Sequence, residues 1–208
     1  MNMPTMETIR SVVDGLKSTY ALRTVNIFGS YAEGRATPQS DLDLLVEFDK
    51  PTVSLIQLNA LKYDLEDALG LPVDVIHAPI ARRQHDSTSK GGACSVTSRD
   101  NRLLTKILSE IAVAGQLIEG VTMEDFINDE RTARAISMTL INIGELVKNL
   151  TPELKEAHTD IPWRAISGMR DITAHKYQTL RKEDVYSTCV DDLPVFEKQL
   201  RQLMEESK

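Results

Sequence analysis

The stretch that decides the fold is GSYAEGRATPQSDLDLLVEF, residues 29–48. Its second half alternates polar and apolar side chains, which is the period-two pattern of a strand with one buried face. Asp41 and Asp43 therefore share one face of that strand. Gly29 and Ser30 end the preceding strand, at a turn into a helix whose backbone N–H groups suit a phosphate. The stretch thus predicts two neighbouring strands with an anion-binding turn between them.

The segments on either side of this stretch alternate helix and strand. Apolar residues recur at helical spacing in 6–20 and 55–69, whereas 24–28 and 72–76 are short segments rich in β-branched residues. We expect an α/β (α+β) domain with a short mixed sheet over residues 1–80.

A third carboxylate, Asp74, opens the last of these predicted strands and can join Asp41 and Asp43. Converging carboxylates suit Mg²⁺, a hard cation that takes oxygen ligands and binds substrate phosphates. Together with the phosphate-binding turn, they predict a site for phosphoryl or nucleotidyl transfer.

The second half of the chain, residues 99–208, is predicted to be all-helical. Its clearest apolar stripe follows one helix face at Ile136, Leu140, Ile143 and Val147. The tract 81–98 between the halves is polar, rich in Gly, Ser and Thr and without periodicity, so we interpret it as a linker. The predicted helix punctuation consists of caps at Ser98, Thr122 and Asp184, proline starts at Pro152 and Pro162, and a kink at Pro194.

The segment IPWRAISGMRDITAHKYQ, residues 161–178, concentrates reactive side chains. On a helix, Arg170 and Tyr177 fall on one stripe, and Asp171 and His175 form an i, i+4 pair on the next. Asp171 can then orient the imidazole of His175, which moves protons near neutral pH, while Arg170 stabilises charge on a phosphorane. This set predicts RNA cleavage without a metal, and two copies related by a two-fold axis make a more complete site than one.

Residues 23–76 resemble the minimal nucleotidyltransferases of the MntA antitoxin type, small relatives of the DNA polymerase β palm. The residues that match the motif GS-x10-D-x-D and its third carboxylate are Gly29, Ser30, Asp41, Asp43 and Asp74. The resemblance implies ATP and Mg²⁺ as cofactors and AMP transfer. It implies that Asp41 and Asp43 hold two metals, that Asp74 contacts the one activating the acceptor, and that Ser30 meets the outer phosphates.

Residues 99–204 resemble the HEPN domains of HepT-like bacterial toxins. The resemblance rests on IPWRAISGMRD, on the spacing Arg170-x4-His175-x-Tyr177, and on DDLP at 191–194. It implies an all-α, dimeric, metal-independent endoribonuclease whose composite site uses Arg170 and His175 of both subunits, with Asp171 as the polar residue after the arginine.

The two resemblances together imply a toxin–antitoxin module within one chain. In such modules the nucleotidyltransferase adds AMP to the tyrosine of the R-x4-H-x-Y motif, here Tyr177. The expected partners are therefore ATP, an RNA substrate and a second copy of the chain bound through the HEPN domain.

Two other functions remain open on the sequence. The chain can be a nucleotidyltransferase for a small acceptor such as an aminoglycoside, with the helical half as the acceptor pocket or dimerisation module. The spacing of Arg170, His175 and Tyr177 has no purpose in such a pocket. It can also be a non-catalytic nucleotide-binding module, but clustered carboxylates repel one another without a metal.

Composition bounds these possibilities. The chain has 208 residues and a net charge of −7, so it lacks the basic excess of a dedicated nucleic-acid binder, and no DNA partner is expected. No apolar run is long enough for a membrane span, and the first residues lack a signal-peptide core. Two distant cysteines without an export signal favour reduced thiols in the cytoplasm.

Several further residues are predicted to be structural. Trp163 is interpreted as a core anchor at a helix start and Cys189 as a packing residue, whereas His77, His85 and His158 are expected at the surface because no ligand partners match them.

Overall fold

The computed structural model describes residues 4–50, 52–78, 97–175 and 181–206, with side chains for all of these except 98 and 171–175. The chain divides into two compact units, the first α/β and the second helical, as the sequence predicts. Among the helices described, none combines the length and the apolar character that crossing a bilayer requires.

The first unit alternates helices and strands. Its elements are α1 (Met6–Tyr20), β1 (Leu22–Phe28), α2 (Gly29–Ala32), β2 (Leu42–Phe48), α3 (Leu55–Leu69) and β3 (Val73–His77). Thr5 caps α1 by accepting the N–H of Thr8, and Ala21 ends it in the left-handed region with φ 50°. The bounds of α1 and α3 are those predicted from the apolar spacing.

The three strands form one mixed sheet in the order β1-β2-β3. β1 runs antiparallel to β2, and β3 runs parallel to it. The even-numbered residues of β2 are buried and the odd-numbered ones are partly exposed, so the predicted alternation is confirmed. The buried face of β2 and the apolar sides of α1 and α3 supply the core, and the hydroxyl of Tyr20 joins the two helices by donating to Asp64 Oδ2 at 2.6 Å.

The second unit is helical throughout its described residues. Its elements are α4 (Ser98–Ile118), α5 (Met123–Asn128), α6 (Glu130–Lys148), α7 (Pro152–Ala157), α8 (Trp163–His175), α9 (Lys182–Ser187), a π-helix (Thr188–Asp192) and α10 (Leu193–Glu206). The predicted stripe on α6 is fully buried, at Ile136, Leu140, Ile143 and Val147.

The helix starts confirm some of the predicted caps and correct others. Thr122 accepts the N–H of Asp125 at 3.1 Å, as predicted. The side chain that caps α4 is Thr97 rather than Ser98, and these two are the only residues of the predicted linker 81–98 that the structure describes. Asp184 lies buried in the first turn of α9, whose N-cap is Arg181, so it is not the cap.

A buried carboxylate joins the starts of α4 and α7. Asp100 is 0% exposed and accepts from Thr97 Oγ1 and from both the backbone N–H and Oγ1 of Thr151. Burial by itself raises the pKa of Asp100, but these hydrogen bonds outweigh it and hold the pKa below its ordinary value. A charged aspartate therefore fixes two helix ends far apart in the sequence.

The last helical segment contains a π-helix directly before the proline at which the sequence predicts a kink. Pro194 lies in the first turn of α10, immediately after this π-helix. Proline has no N–H to donate to the preceding turn, so a helical hydrogen bond is missing at this position in any case. Widening the turn before the proline into a π-helix therefore sacrifices fewer backbone hydrogen bonds than it would elsewhere in a helix. Thr188 Oγ1 donates to the Asp184 carbonyl at 2.7 Å within this wider segment.

Candidate functional site

The carboxylates predicted on the second and third strands lie side by side in the sheet. The register pairs Asp43 of β2 with Asp74 of β3 on one side and with Phe28 of β1 on the other. Paired residues of adjacent strands point to the same face, with Cβ atoms roughly 5 Å apart. Asp43 and Asp74 are half-buried, whereas Asp41 is exposed directly before β2. The sheet thus places Asp43 and Asp74 side by side, and we call this pair the carboxylate row. Asp41 lies two residues before Asp43, just outside the strand.

Gly29 lies directly against this carboxylate row. Its φ is 67°, in the left-handed region that favours glycine. A Cβ at this position would lie 3.2 Å from Asp43 Cγ and nearer still to Oδ2. Two features of the structure therefore favour glycine at this position. One is the turn, which the sequence predicts, and the other is the close approach of the Asp43 side chain.

The segment between α2 and β2 is folded back by its own hydrogen bonds. The Ser30 carbonyl accepts the N–H of Arg35 at 2.9 Å, and the exposed side chain of Arg35 pairs with Glu33. Ser40 Oγ accepts the N–H of Thr37 at 2.9 Å in a second turn. These two turns lie in the segment that leads from the partly exposed Ser30 to the start of β2.

The donor set fits a hard divalent cation that shares its shell with a substrate. Within the described ranges, no three Asp, Glu, His or Cys side chains are close enough together to hold a metal by themselves. Mg²⁺ needs fewer protein ligands, because it keeps waters and binds substrate phosphates. Asp43 and Asp74 in one row, with Asp41 beside them, supply oxygen donors of this kind.

We expect Gly29→Ala to lower nucleotide transfer about 100-fold, because an added methyl group displaces Asp43 and misplacement by about 1 Å can have an effect of that size. Gly34→Ala is the matched control, since Gly34 has φ 68° but nothing within 4 Å of its Cβ position. Both variants should lose about 1–2 kcal/mol of stability from left-handed strain. Transfer rates are measured with labelled ATP. Equal rates in the two variants would show that the close contact between Gly29 and Asp43 is not needed for transfer.

Arg170, the first residue of the predicted second site, lies on α8 and pairs with α6. Its Nη1 forms an ion pair with Glu145 Oε1, and both side chains are partly exposed. At Gly144, the preceding residue of α6, a Cβ would lie 3.0 Å from the Ser167 carbonyl oxygen and 3.1 Å from the Arg170 nitrogen. The two helices are therefore in close contact at the turn of α8 that carries the arginine.

The other residues of the second predicted site are placed only in part. α8 continues to His175, so Arg170, Asp171 and His175 follow one another on a single helix, as the sequence predicts. The structure does not describe the side chains of Asp171 and His175, and Tyr177 lies outside the described residues. Their pairing and roles stay predictions.

Sequence reasoning missed Glu145 as the partner of Arg170. The partners lie 25 positions apart, on different helices. One signal was present, since a glycine inside a helix costs about 1 kcal/mol relative to alanine and often marks close packing. Gly144 is such a glycine, and Glu145 follows it.

The surface positions predicted for two histidines are wrong. His77 is 7% exposed and packs edge-on against Phe48, with ring centroids 5.1 Å apart. His158 is 5% exposed, and its carbonyl accepts the indole N–H of Trp163 at 2.8 Å. Trp163 is the core anchor that the sequence predicts. His85 lies outside the described residues.

Cys189 is a packing residue, as predicted. It lies buried in the π-helix, and burial, with a smaller effect from the charge of Asp192, raises its pKa to about 12. The thiol is therefore neutral at physiological pH and unsuited to act as a nucleophile. Cys94 lies outside the described residues.

Two family models match different parts of the chain. The nucleotidyltransferase domain model matches residues 9–91, and the ribonuclease HepT-like model matches residues 107–203. No solved structure matches the chain significantly.

Individual relatives agree with this division. A putative RNase of Caldanaerobacter subterraneus subsp. tengcongensis is 35% identical over 105 residues, which cover 50% of this chain and 94% of the relative. A probable ribonuclease HepT of Thermococcus cleftensis is 37% identical and covers 42% of this chain and 83% of its own length. A protein adenylyltransferase MntA of the same organism is 38% identical and covers 36% and 80%.

Proposed function

Since the chain belongs to the nucleotidyltransferase domain family in its N-terminal part and to the ribonuclease HepT-like family in its C-terminal part, we propose that it is a fused toxin–antitoxin protein. Its N-terminal domain, residues 1–80, transfers AMP from ATP to Tyr177. Its C-terminal domain, residues 99–208, is a metal-independent endoribonuclease that this modification silences. The observation that carries the proposal is the pairing of Asp43 with Asp74 against Gly29, because a core does not require adjacent carboxylates.

The transfer step uses the carboxylate row and the turn before it. Asp41 and Asp43 would hold Mg²⁺, with Asp74 on the acceptor side, and the ion would supply positive charge against the triphosphate. Gly29 and Ser30 meet the outer phosphates through backbone N–H groups at the start of α2.

The acceptor in this step is the phenolic oxygen of Tyr177. It bonds to the α-phosphorus of ATP, the bond from that phosphorus to the bridging oxygen breaks, and pyrophosphate leaves. The phenolic proton passes to solvent. The product is a tyrosine that carries one AMP through a phosphodiester.

The ribonuclease step uses the C-terminal end of α8. His175 removes the proton of a ribose 2′-OH, and the 2′ oxygen bonds to the adjacent phosphorus while the bond from that phosphorus to the 5′ oxygen of the next nucleotide breaks. The 5′ oxygen takes a proton from solvent and leaves as a hydroxyl, and the other product ends in a 2′,3′-cyclic phosphate. Arg170 stabilises the negative charge that develops on the phosphoryl oxygens. Asp171 orients the imidazole of His175. The complete site combines Arg170 and His175 of two copies in a homodimer formed through the C-terminal domain.

The modification silences cleavage through charge and bulk. Tyr177 follows His175 by two residues in the sequence, so a nucleotide on it is held close to the ribonuclease site. Its phosphate pairs with Arg170 in a charge-assisted hydrogen bond and competes with the RNA phosphate for the same guanidinium. Thermococcus cleftensis has separate relatives, one named an adenylyltransferase and one a ribonuclease, which supports two coupled activities here.

We expect incubation with ATP and Mg²⁺ to add AMP to Tyr177 and to lower RNA cleavage by the same sample at least about 100-fold, because the added phosphate occupies Arg170. Peptide mapping by mass spectrometry gives the site, and a labelled RNA gives the rate. Tyr177→Phe is the matched variant: it should cleave RNA with or without ATP and take up no AMP.

Three outcomes would contradict this proposal. Mass could appear on Tyr31, Tyr63 or Tyr186 and not on Tyr177. Cleavage could continue unchanged after full modification of Tyr177. Label could pass instead to an added aminoglycoside, which would support a small-molecule transferase.

A further inference from the structure

We propose that Glu145 is the positioning residue for Arg170, and that Gly144 sets the distance at which it acts. The inference rests on the proposed ribonuclease function, in which Arg170 contacts the RNA phosphate. In this proposal, one turn of α6 holds Arg170 in two ways. Gly144 fixes the position of its backbone, and Glu145 fixes the position of its guanidinium group.

The backbone end of Arg170 is fixed by close packing. Met169, the residue before it, is 0% exposed. At Gly144 the missing side chain lets α8 come so near that a Cβ would lie 3.1 Å from the Arg170 nitrogen and 3.2 Å from its Cβ. Any side chain at this position pushes α8, and Arg170 with it, away from α6.

The guanidinium end is fixed by the next residue of α6. Glu145 Oε1 accepts from Arg170 Nη1, and the two groups are only partly exposed, so water screens their attraction incompletely. An arginine side chain has many rotamers, and a catalytic group must be held within about 0.5 Å to be effective. A carboxylate on a packed helix selects the rotamers in which the guanidinium stays over the α6–α8 contact.

The ion pair between Glu145 and Arg170 can also be interpreted as inhibitory, and the experiments below distinguish the two interpretations. A carboxylate on Arg170 can compete with the RNA phosphate and so restrain the enzyme. Removing Glu145 would then raise cleavage and tighten RNA binding. Under positioning, the same change lowers kcat, because the guanidinium is present but misplaced.

The first experiment measures RNA cleavage by the full-length chain, checked by intact mass to carry no AMP. We expect Glu145→Ala to lower kcat about 30-fold and to change KM less than about threefold, since misplacement by about 1 Å can cost up to 100-fold. Glu145→Gln keeps an acceptor oxygen at the same reach and should recover most of kcat. Glu156→Ala, an exposed glutamate on α7, is the control that should cleave normally.

The second experiment tests the packing half of the proposal. We expect Gly144→Ala to lower kcat about tenfold, with a combined loss in Gly144→Ala/Glu145→Ala smaller than the product of the single losses, because both act through Arg170. Gly115→Ala is the matched control, since Gly115 also lies within a helix, α4, but has nothing within 4 Å of its Cβ position.

A third readout does not depend on cleavage. The Nε–H resonance of Arg170, identified by its loss in Arg170→Lys, should move toward the free-arginine position in Glu145→Ala and stay in place in Glu156→Ala. An unmoved resonance in Glu145→Ala, unchanged kcat, or faster cleavage in that variant would overturn the positioning role. Normal cleavage by Arg170→Ala would instead refute the proposed ribonuclease site, while the resonance would still report on the pair.

Discussion

Replacing Asp41 and Asp43 together with asparagine should abolish AMP transfer, with a loss of at least about 1,000-fold, and leave the fold intact. Metal-assisted charge neutralisation contributes several kcal/mol to such reactions, and about 4 kcal/mol corresponds to that factor. Asparagine keeps the shape of aspartate but removes the charge that would bind Mg²⁺ against the triphosphate. Transfer is measured with labelled ATP on the purified full-length chain.

Stability provides a second readout for the same variant. Asp43 pairs with Asp74 across β2 and β3, and like charges directly opposite one another destabilise a sheet. The thermal midpoint of the double variant should therefore hold or rise while activity disappears. Asp49→Asn is the matched control, because Asp49 follows the other end of β2 and pairs there with Arg23. Transfer at the wild-type rate in Asp41→Asn/Asp43→Asn would exclude this site.

Substituting alanine at His175 or at Arg170 should each lower RNA cleavage about 1,000-fold, and EDTA should leave wild-type cleavage unchanged. Proton transfer by a positioned side chain contributes about 100- to 10,000-fold, and a positioned cation on the phosphorane contributes a comparable factor. Cleavage of a labelled RNA by the unmodified chain measures both effects.

Arg164→Ala is the matched control for the arginine. Arg164 is an exposed residue on the same helix, α8, six positions before Arg170. If its loss weakened cleavage as much as the loss of Arg170, the effect would be one of general charge toward RNA rather than of a site. Cleavage that persisted in both His175→Ala and Arg170→Ala, or that required Mg²⁺, would refute the proposed mechanism.

The two functions should separate in these variants. Asp41→Asn/Asp43→Asn keeps Arg170 and His175, so its RNA cleavage should no longer respond to ATP. His175→Ala keeps the carboxylate row and Tyr177, so it should still take up AMP. A variant that lost both activities with an intact fold would point to one shared site instead of two.

The local features of the sequence determined most of the fold. The alternation of β2 and the spacing along α1, α3 and α6 depend on which residues one element buries, and periodicity reports that directly. The cap at Thr122 was equally accessible, because the capping bond joins residues three positions apart. The family resemblances were also carried by short segments, and the relatives confirm them.

Features that depend on a second element were not accessible in the same way. The burial of His77 and His158 comes from neighbours that supply an aromatic face or an indole N–H. Thr97 takes the cap position because Asp100 and Thr151 converge there, which a pattern favouring Ser98 cannot show.

The sequence by itself determined the two families, the strand that carries Asp43 directly after Asp41, and the helix that carries Arg170. Only the tertiary structure decided that Asp43 stands beside Asp74 against the Cα of Gly29, and that Glu145 holds Arg170 where Gly144 lets two helices meet. The reason is physical: periodicity and capping are set by interactions within about one turn or one strand, whereas a register and a helix–helix contact are set by packing between segments that the chain keeps far apart.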